Sequence, residues 1–305
     1  MERRALGRTG RTVSAIGLGT VTFGREIDEA TSFRVMDYAF ERGITFFDTA
    51  ELYGGGASER IVGRWIRDRG CRDEITLCTK VGTGAGAANI PKAVGDSLAR
   101  LELDSVDILK IHNPDPEAQA GETLSAMTSE IEAGRVRIIG CSNYSAALLR
   151  EALEASVTGG YRRFDVLQPP YSLVARGGED ELFPLCVREE IAITAYSPLG
   201  AGFLTGKYTP DREAIPQDTR FGAMPGHADI YFSERNFRIV DALRSKAEEL
   251  DVPMVRLAMA YAMANSDITS VLVGARTTGH IDNALEALDM GLDEGLRSEM
   301  SSWPE

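Results

Sequence analysis

The sequence predicts a single parallel (β/α)8 barrel of the TIM type over residues 1–305, and three observations lead there. Eight short apolar or β-branched runs alternate with eight longer amphipathic stretches, the pattern of repeated βα units around a parallel sheet. The 305 residues are enough for one such barrel. No linker and no repeat beyond the βα period divides them.

In chain order, residues 4–14 come first, with Gly7-Arg8-Thr9-Gly10 as a turn between β-prone flanks. A short N-terminal β-hairpin capping the bottom of the barrel is expected. The predicted strands are residues 15–19, 45–48, 75–81, 106–112, 137–142, 164–168, 191–197 and 268–274. The predicted helices are residues 29–42, 59–69, 91–101, 122–133, 146–155, 179–189, 253–265 and 281–290. Pro91 and Pro253 open two of these helices, at a first-turn position that needs no backbone N–H. Residues 205–233, rich in Gly, Pro, Asp and Arg, read as a long irregular loop after the seventh strand and as a cover for cofactor or substrate.

Composition narrows the function. Lys and Arg number 33 against 46 Asp and Glu, a net charge of −13, with a pI near 4.9. A surface so acidic is not built to neutralise nucleic-acid phosphates or an anionic membrane. The N-terminal MERRALGRTG lacks the apolar run of a signal peptide, and no run of about 18 apolar residues occurs, so a cytoplasmic protein is expected. Cys71, Cys78, Cys141 and Cys186 form no CxxC pair and read as reduced core residues. His112, His227 and His280 match neither HxH nor HExxH, and no metal is expected.

Active sites of (β/α)8 barrels form at the C-terminal ends of the strands. The second predicted strand ends in Phe47-Asp48-Thr49-Ala50, with Tyr53 close behind; the third ends in Thr79-Lys80-Val81 and the fourth in Lys110-Ile111-His112. An acid, a phenol, an amine and an imidazole thus converge on one mouth. A phenol with a pKa of about 10 is a poor proton donor at neutral pH. Lowering it by about three units takes about 4 kcal/mol, which one lysine about 4 Å away supplies at an effective dielectric near 20. Lys80 is the expected source, Asp48 keeps that lysine charged, and His112 is placed to orient a carbonyl oxygen. Each residue alone has a bland explanation, as a turn cap, strand-end charge, loop packing or satisfied histidine. Their coincidence at adjacent strand ends does not.

These residues resemble the aldo-keto reductase superfamily over nearly the whole chain. The resemblance rests on Leu6-Gly7-Arg8-Thr9-Gly10, Gly17-Leu18-Gly19-Thr20, Phe47 to Gly54, Ser58-Glu59, Thr79-Lys80-Val81-Gly82 and Ile111-His112. Further along it rests on Gly140 to Tyr144, Gln168-Pro169-Pro170-Tyr171 and Ala195 to Gly200. It is nearest to bacterial members related to the potassium-channel β-subunit and sugar-aldehyde reductase branches. It implies an NADPH-dependent enzyme that reduces a small-molecule carbonyl by hydride transfer, with Tyr53 as proton donor, Lys80 and Asp48 tuning it, and His112 orienting substrate.

The same resemblance distributes the cofactor contacts. Ser142, Asn143 and Gln168 would hold the carboxamide, the Tyr196 ring would stack on the nicotinamide, and Ser197, Pro198, Leu199 and Gly200 would line the pyrophosphate. Gly274 and Arg276 precede a helix whose N-terminal amides would face phosphate, Arg276 taking the 2′-phosphate and favouring NADP over NAD. By position Thr20, Val21, Gly202, His280 and Asn283 are carried over as well. Three departures bear on affinity: Gly200-Ala201-Gly202 stands where many members have Ala-Arg-Gly, Asn283-Ala284 replaces a common Glu-Asn pair, and His280 replaces a frequent Gln. The Val21-Thr22 region stands where an aromatic is often found, so a less hydrophobic substrate pocket is expected.

The sequence offers two rival readings. Gly82-Thr83-Gly84-Ala85-Gly86-Ala87 matches the GxGxxA of a dinucleotide-binding fold, but the next strand ends in His112-Asn113 instead of the required acid. These glycines are read as a flexible βα loop. The other rival is a nicotinamide-binding redox sensor or regulatory subunit with slow or incidental turnover.

Overall fold

Eight parallel strands close into a barrel in the computed structural model, which describes residues 1–303. Before it comes an antiparallel hairpin of β1 (Arg3–Ala5) and β2 (Thr12–Ser14). The barrel strands are β3 (Ile16–Gly19), β4 (Phe46–Asp48), β5 (Thr76–Val81), β6 (Val106–Ile111), β7 (Val136–Ser142), β8 (Val166–Gln168), β9 (Ala192–Tyr196) and β10 (Ser270–Gly274). They follow one another in chain order around the barrel, and β10 closes it by pairing with β3 through Val271 opposite Ile16. The expected (β/α)8 architecture is therefore present, and it excludes the dinucleotide-binding alternative for residues 82–87.

The hairpin caps the N-terminal ends of the strands, as the sequence suggested. Arg8 N donates to Glu190 O at 3.1 Å and Arg4 Nη1 to Ile268 O at 3.0 Å, while Ser14 Oγ accepts from the Thr45 and Phe46 amides at 3.2 Å. Gly7 has φ +52° and approaches the Glu190 carbonyl so closely that a Cβ would collide with it, so this turn requires glycine.

One compact unit consists of residues 1–169, 179–195 and 267–281. It holds the hairpin, the barrel, α1 (Glu29–Glu41), α2 (Ala57–Arg69), α3 (Ile90–Leu101), α4 (Ala120–Glu132), α5 (Ala146–Gly159) and α6 (Leu182–Arg188). Local sequence explains these helices. Asp28 caps α1 by accepting from Thr31 N at 2.8 Å, and Ser145 does the same for α5 from Leu148 N at 3.2 Å. In α3, Ile90, Ala93, Val94, Ser97, Leu98 and Leu101 are buried, a stripe at helical spacing. The four cysteines are buried and free.

The other compact unit consists of residues 170–178, 196–266 and those from 282 onward. Here the sequence reading needs correction. Residues 205–233 are not irregular throughout: they contain α7 (Arg220–Ala223) and α8 (Gly226–Tyr231). Phe203, Tyr208, Phe221, Tyr231, Phe232 and Phe237 form a cluster with ring centroids 4.6–6.5 Å apart, which gives this stretch its own core. Next comes α9 (Glu234–Glu249), which the sequence reading omitted, although Ser233 caps it and Asn236, Ile239, Val240, Leu243 and Ala247 bury one stripe. After α10 (Met254–Met263) and α11 (Thr278–Met290), a further unpredicted helix, α12 (Glu294–Ser301), is capped by Asp293. No helix of the described residues is long and apolar enough to cross a membrane.

Candidate active site

Asp48 ends β4 and points into the barrel, 1% exposed. Its Oδ1 accepts from Lys80 Nζ, on β5, and from Gln168 Nε2 at 3.3 Å; its Oδ2 faces Lys110 Nζ at 3.3 Å. Lys80 Nζ also donates to Thr49 O at 2.8 Å and lies 3.2 Å from Tyr53 Oη. Tyr53 starts a short 3-10 turn in which Gly54, Gly55 and Gly56 have φ of +57°, +60° and +84°. Three successive left-handed residues explain three successive glycines, and the turn brings the phenol back over the strand ends. The His112 ring, just after β6, meets the Tyr53 ring edge-on, with centroids 5.7 Å apart. The four residues singled out in the sequence are therefore brought together at adjacent strand ends.

The electrostatics of this cluster differ in one respect from the sequence expectation. Burial pushes the Asp48 carboxyl up, but the Lys80 and Lys110 ammonium groups outweigh it and hold the pKa at about 2. Burial alone would discharge Lys80; the Asp48 carboxylate reverses this and raises its pKa. For Tyr53, burial raises the pKa above its ordinary value, and the lowering by Lys80 is partly cancelled by Asp48. Lys80 therefore does not draw the phenol toward neutrality: burial outweighs its field, part of which the carboxylate in contact with it also cancels. Burial, with the two lysines adding to it, lowers His112 to about 4, leaving a neutral imidazole at pH 7. His112 Nδ1 is buried without a hydrogen-bond partner.

The other predicted positions fall as follows. Thr20, directly after β3, turns its hydroxyl inward to Asp48 O at 3.1 Å and Ser58 Oγ at 2.7 Å, with half-buried Val21 beside it. Ser142 Oγ donates to Gln168 O at 2.7 Å, and Asn143, at φ +62°, donates from Nδ2 to His112 O at 2.9 Å. Gly274 and Arg276 are exposed. The Arg276 and Thr277 amides, expected to face phosphate, lie 3.2 and 3.3 Å from His280 Nδ1, so His280 serves as a side-chain acceptor at the start of α11. In the other unit, residues 196–202 form a tight run with Ser197, Gly200, Ala201 and Gly202 at positive φ. Gly200 N donates to Ser197 O at 2.9 Å and Gly202 N to Leu199 O at 3.0 Å, with Pro198 buried and Tyr196 half-buried. Asn283 Oδ1 accepts from Arg256 Nε at 3.1 Å.

Two residues at the site had no role assigned from the sequence. Glu51 is buried and accepts from the Gly82 amide at 2.5 Å and the Thr83 amide at 2.6 Å. Asp115 Oδ2 accepts from Ala85 N at 3.0 Å, so carboxylates hold the amides at 82, 83 and 85 of this βα loop. The other is Lys110, fully buried on β6. Its signal was available: Val106, Ile108 and Lys110 alternate on one strand face, which sets a charge where a core residue belongs.

The Aldo/keto reductase family model matches residues 15–301. A probable voltage-gated potassium channel subunit beta of Arabidopsis thaliana is 34% identical over 309 residues, covering 95% of this chain and 92% of the relative. The uncharacterized oxidoreductase YrpG of Bacillus subtilis is 31% identical, covering 97% and 94%. The aldo-keto reductase yakc [NADP(+)] of Schizosaccharomyces pombe is 30% identical, covering 95% and 88%.

Proposed function

From the premise that this chain belongs to the aldo/keto reductase family, we propose that it reduces a small aldehyde, ketone or sugar-like carbonyl to the alcohol with NADPH, Tyr53 giving the proton. The observation that carries this reading is the Tyr53 hydroxyl 3.2 Å from Lys80 Nζ, beside a neutral His112 at the strand ends. The residues present fit a nicotinamide cofactor and its substrate: a buried ring nitrogen of His112 lacks a partner, and amide and hydroxyl groups of Ser142, Asn143 and Gln168 gather at neighbouring strand ends.

When bound, the cofactor supplies a hydride to the carbonyl carbon. The chain's residues handle the oxygen. Neutral His112 donates a hydrogen bond that holds it, and Tyr53 gives up its proton as negative charge develops there. The phenolate left behind is stabilised by the Lys80 ammonium, which Asp48 holds in place. A raised phenol pKa keeps the donor protonated through neutral pH. Lys80 thus acts on the product side of the proton transfer, where its charge is worth most. Gln168, Ser142 and Asn143 would take the carboxamide, and exposed Arg276 the 2′-phosphate that separates NADPH from NADH.

The test is transfer of label. NADPH carrying deuterium at the transferable position of the nicotinamide, incubated with a panel of aldehydes, ketones and sugars, is expected to yield an alcohol deuterated at the carbinol carbon. Tight NADPH binding with no labelled alcohol would instead favour a second reading, a redox-sensing subunit, which the relative named as a channel subunit supports.

A further inference from the structure

A (β/α)8 barrel fills its interior with layers of side chains from alternate strands, mostly apolar. At the level of Asp48 this barrel breaks that rule, with Asp48 from β4, Lys110 from β6 and Gln168 from β8 in one connected group. Lys110 Nζ donates to Gln168 Oε1 at 2.9 Å, to Thr194 Oγ1 at 2.9 Å and to Asp48 Oδ2 at 3.3 Å. An ammonium has three donors, and here each has an acceptor.

Two consequences follow from this geometry. A glutamine amide can be turned end for end, but Gln168 lies between an ammonium and a carboxylate. Only one orientation sets Oε1 on the donor and Nε2 on the acceptor; the other opposes NH2 to NH3⁺ and a carbonyl oxygen to a carboxylate. Charge is the second consequence. Asp48 alone would neutralise Lys80, whereas Lys80 and Lys110 together leave one positive charge in excess around Asp48. The other titratable groups facing these three are Tyr53 itself, Cys78 on β5, His112 and Cys141 on β7. Burial raises both thiols, Cys78 to about 12, so neither thiol adds charge near neutral pH.

We propose that Lys110 is a positioning residue for the reaction: it fixes the Gln168 amide in the one orientation offered to the nicotinamide carboxamide, and it holds Asp48 ionised against Lys80. The Gln168 half rests on the reductase reading above; the Asp48 half does not.

Lys110→Met, similar in length but without charge, tests both halves in the full chain. NADPH affinity, read from intrinsic protein fluorescence, is expected to weaken about tenfold, a change of about 1.4 kcal/mol. Gln168→Leu should lose about as much, and the double variant no more than either alone. Separately, acidification below about pH 4 should lower the thermal midpoint of Lys110→Met less than that of wild type, and the loss should end at a higher pH, because the folded Asp48 then takes up its proton nearer the pH at which the unfolded chain does. If Lys110→Met does not fold, Lys110→Gln keeps a donor toward Gln168 without the charge. It should hold NADPH affinity within about threefold and still move the acid limb. Unchanged affinity in Lys110→Met, or losses that add in the double variant, would overturn the Gln168 role. An unmoved acid limb would overturn the Asp48 role. Wild type that binds no NADPH would overturn the reductase reading itself, and the acid limb would then decide the Asp48 role alone.

Discussion

His112 shows how burial tunes a single side chain. Its pKa of about 4 lies below the ordinary 6.5, so the folded chain holds it neutral. A base depressed by folding lends stability that is complete above about pH 6.5 and is lost as the pH falls through about 4, because the unfolded chain binds the proton first. The whole change amounts to roughly 3 kcal/mol. The thermal midpoint should therefore fall between these pH values in wild type, and His112→Gln should fall less steeply over the same window. Equal slopes would mean that the imidazole is not held neutral by the fold. Position and environment were not equally visible in the sequence at this scale. Asp48, Tyr53, Lys80 and His112 were legible because a polar residue at a barrel-strand end has few other reasons to be there. The state of Tyr53 was not legible. It depends on how much of the Lys80 field Asp48 absorbs and on how deep the phenol lies, and neither distance is encoded in spacing. Lys110 was marked by its place in the alternation, but its acceptors Gln168 and Thr194 are 58 and 84 residues away, and no local pattern joins them.

Among the elements, the barrel strands and the helices between them declare themselves by period, whereas composition alone hides the helices after β9. The composition of residues 205–233 is that of a loop, while six aromatics between 203 and 237 build a core of their own. Phe221 is 0% exposed within it and touches Phe203, Tyr208, Tyr231 and Phe232. Phe221→Ala should cost about 3–5 kcal/mol in a denaturant titration, the range for emptying a buried phenylalanine site. Val157→Ala on α5, a position 83% exposed, should stay within about 0.5 kcal/mol. A small loss at Phe221 would show that the stretch is only a mobile cover.

Across the whole molecule, the strongest sequence inference was the count of βα units, because eight parallel strands have one common way to close. The division into two compact units had no comparable signal, since the second unit takes residues from three separated stretches of chain. Charge also acts at this scale. The net −13 coexists with a core that holds Lys80 and Lys110 fully buried around one carboxylate. Such a cluster costs desolvation unless each charge is paired, and a barrel designed for stability alone would fill the layer with apolar side chains. Its place at the C-terminal ends of the barrel strands is where the proposed proton transfer would use it.

The most direct measurement sets Tyr53→Phe beside wild type, with turnover of a reducible carbonyl and NADPH affinity taken on the same preparations. The predicted result is a kcat lower by about 10²–10⁴-fold with affinity within a few-fold, because the phenol acts on the transition state and not on the cofactor. Turnover that survives the loss of the hydroxyl, or a fall in affinity as large as the fall in rate, would contradict Tyr53 as the proton donor.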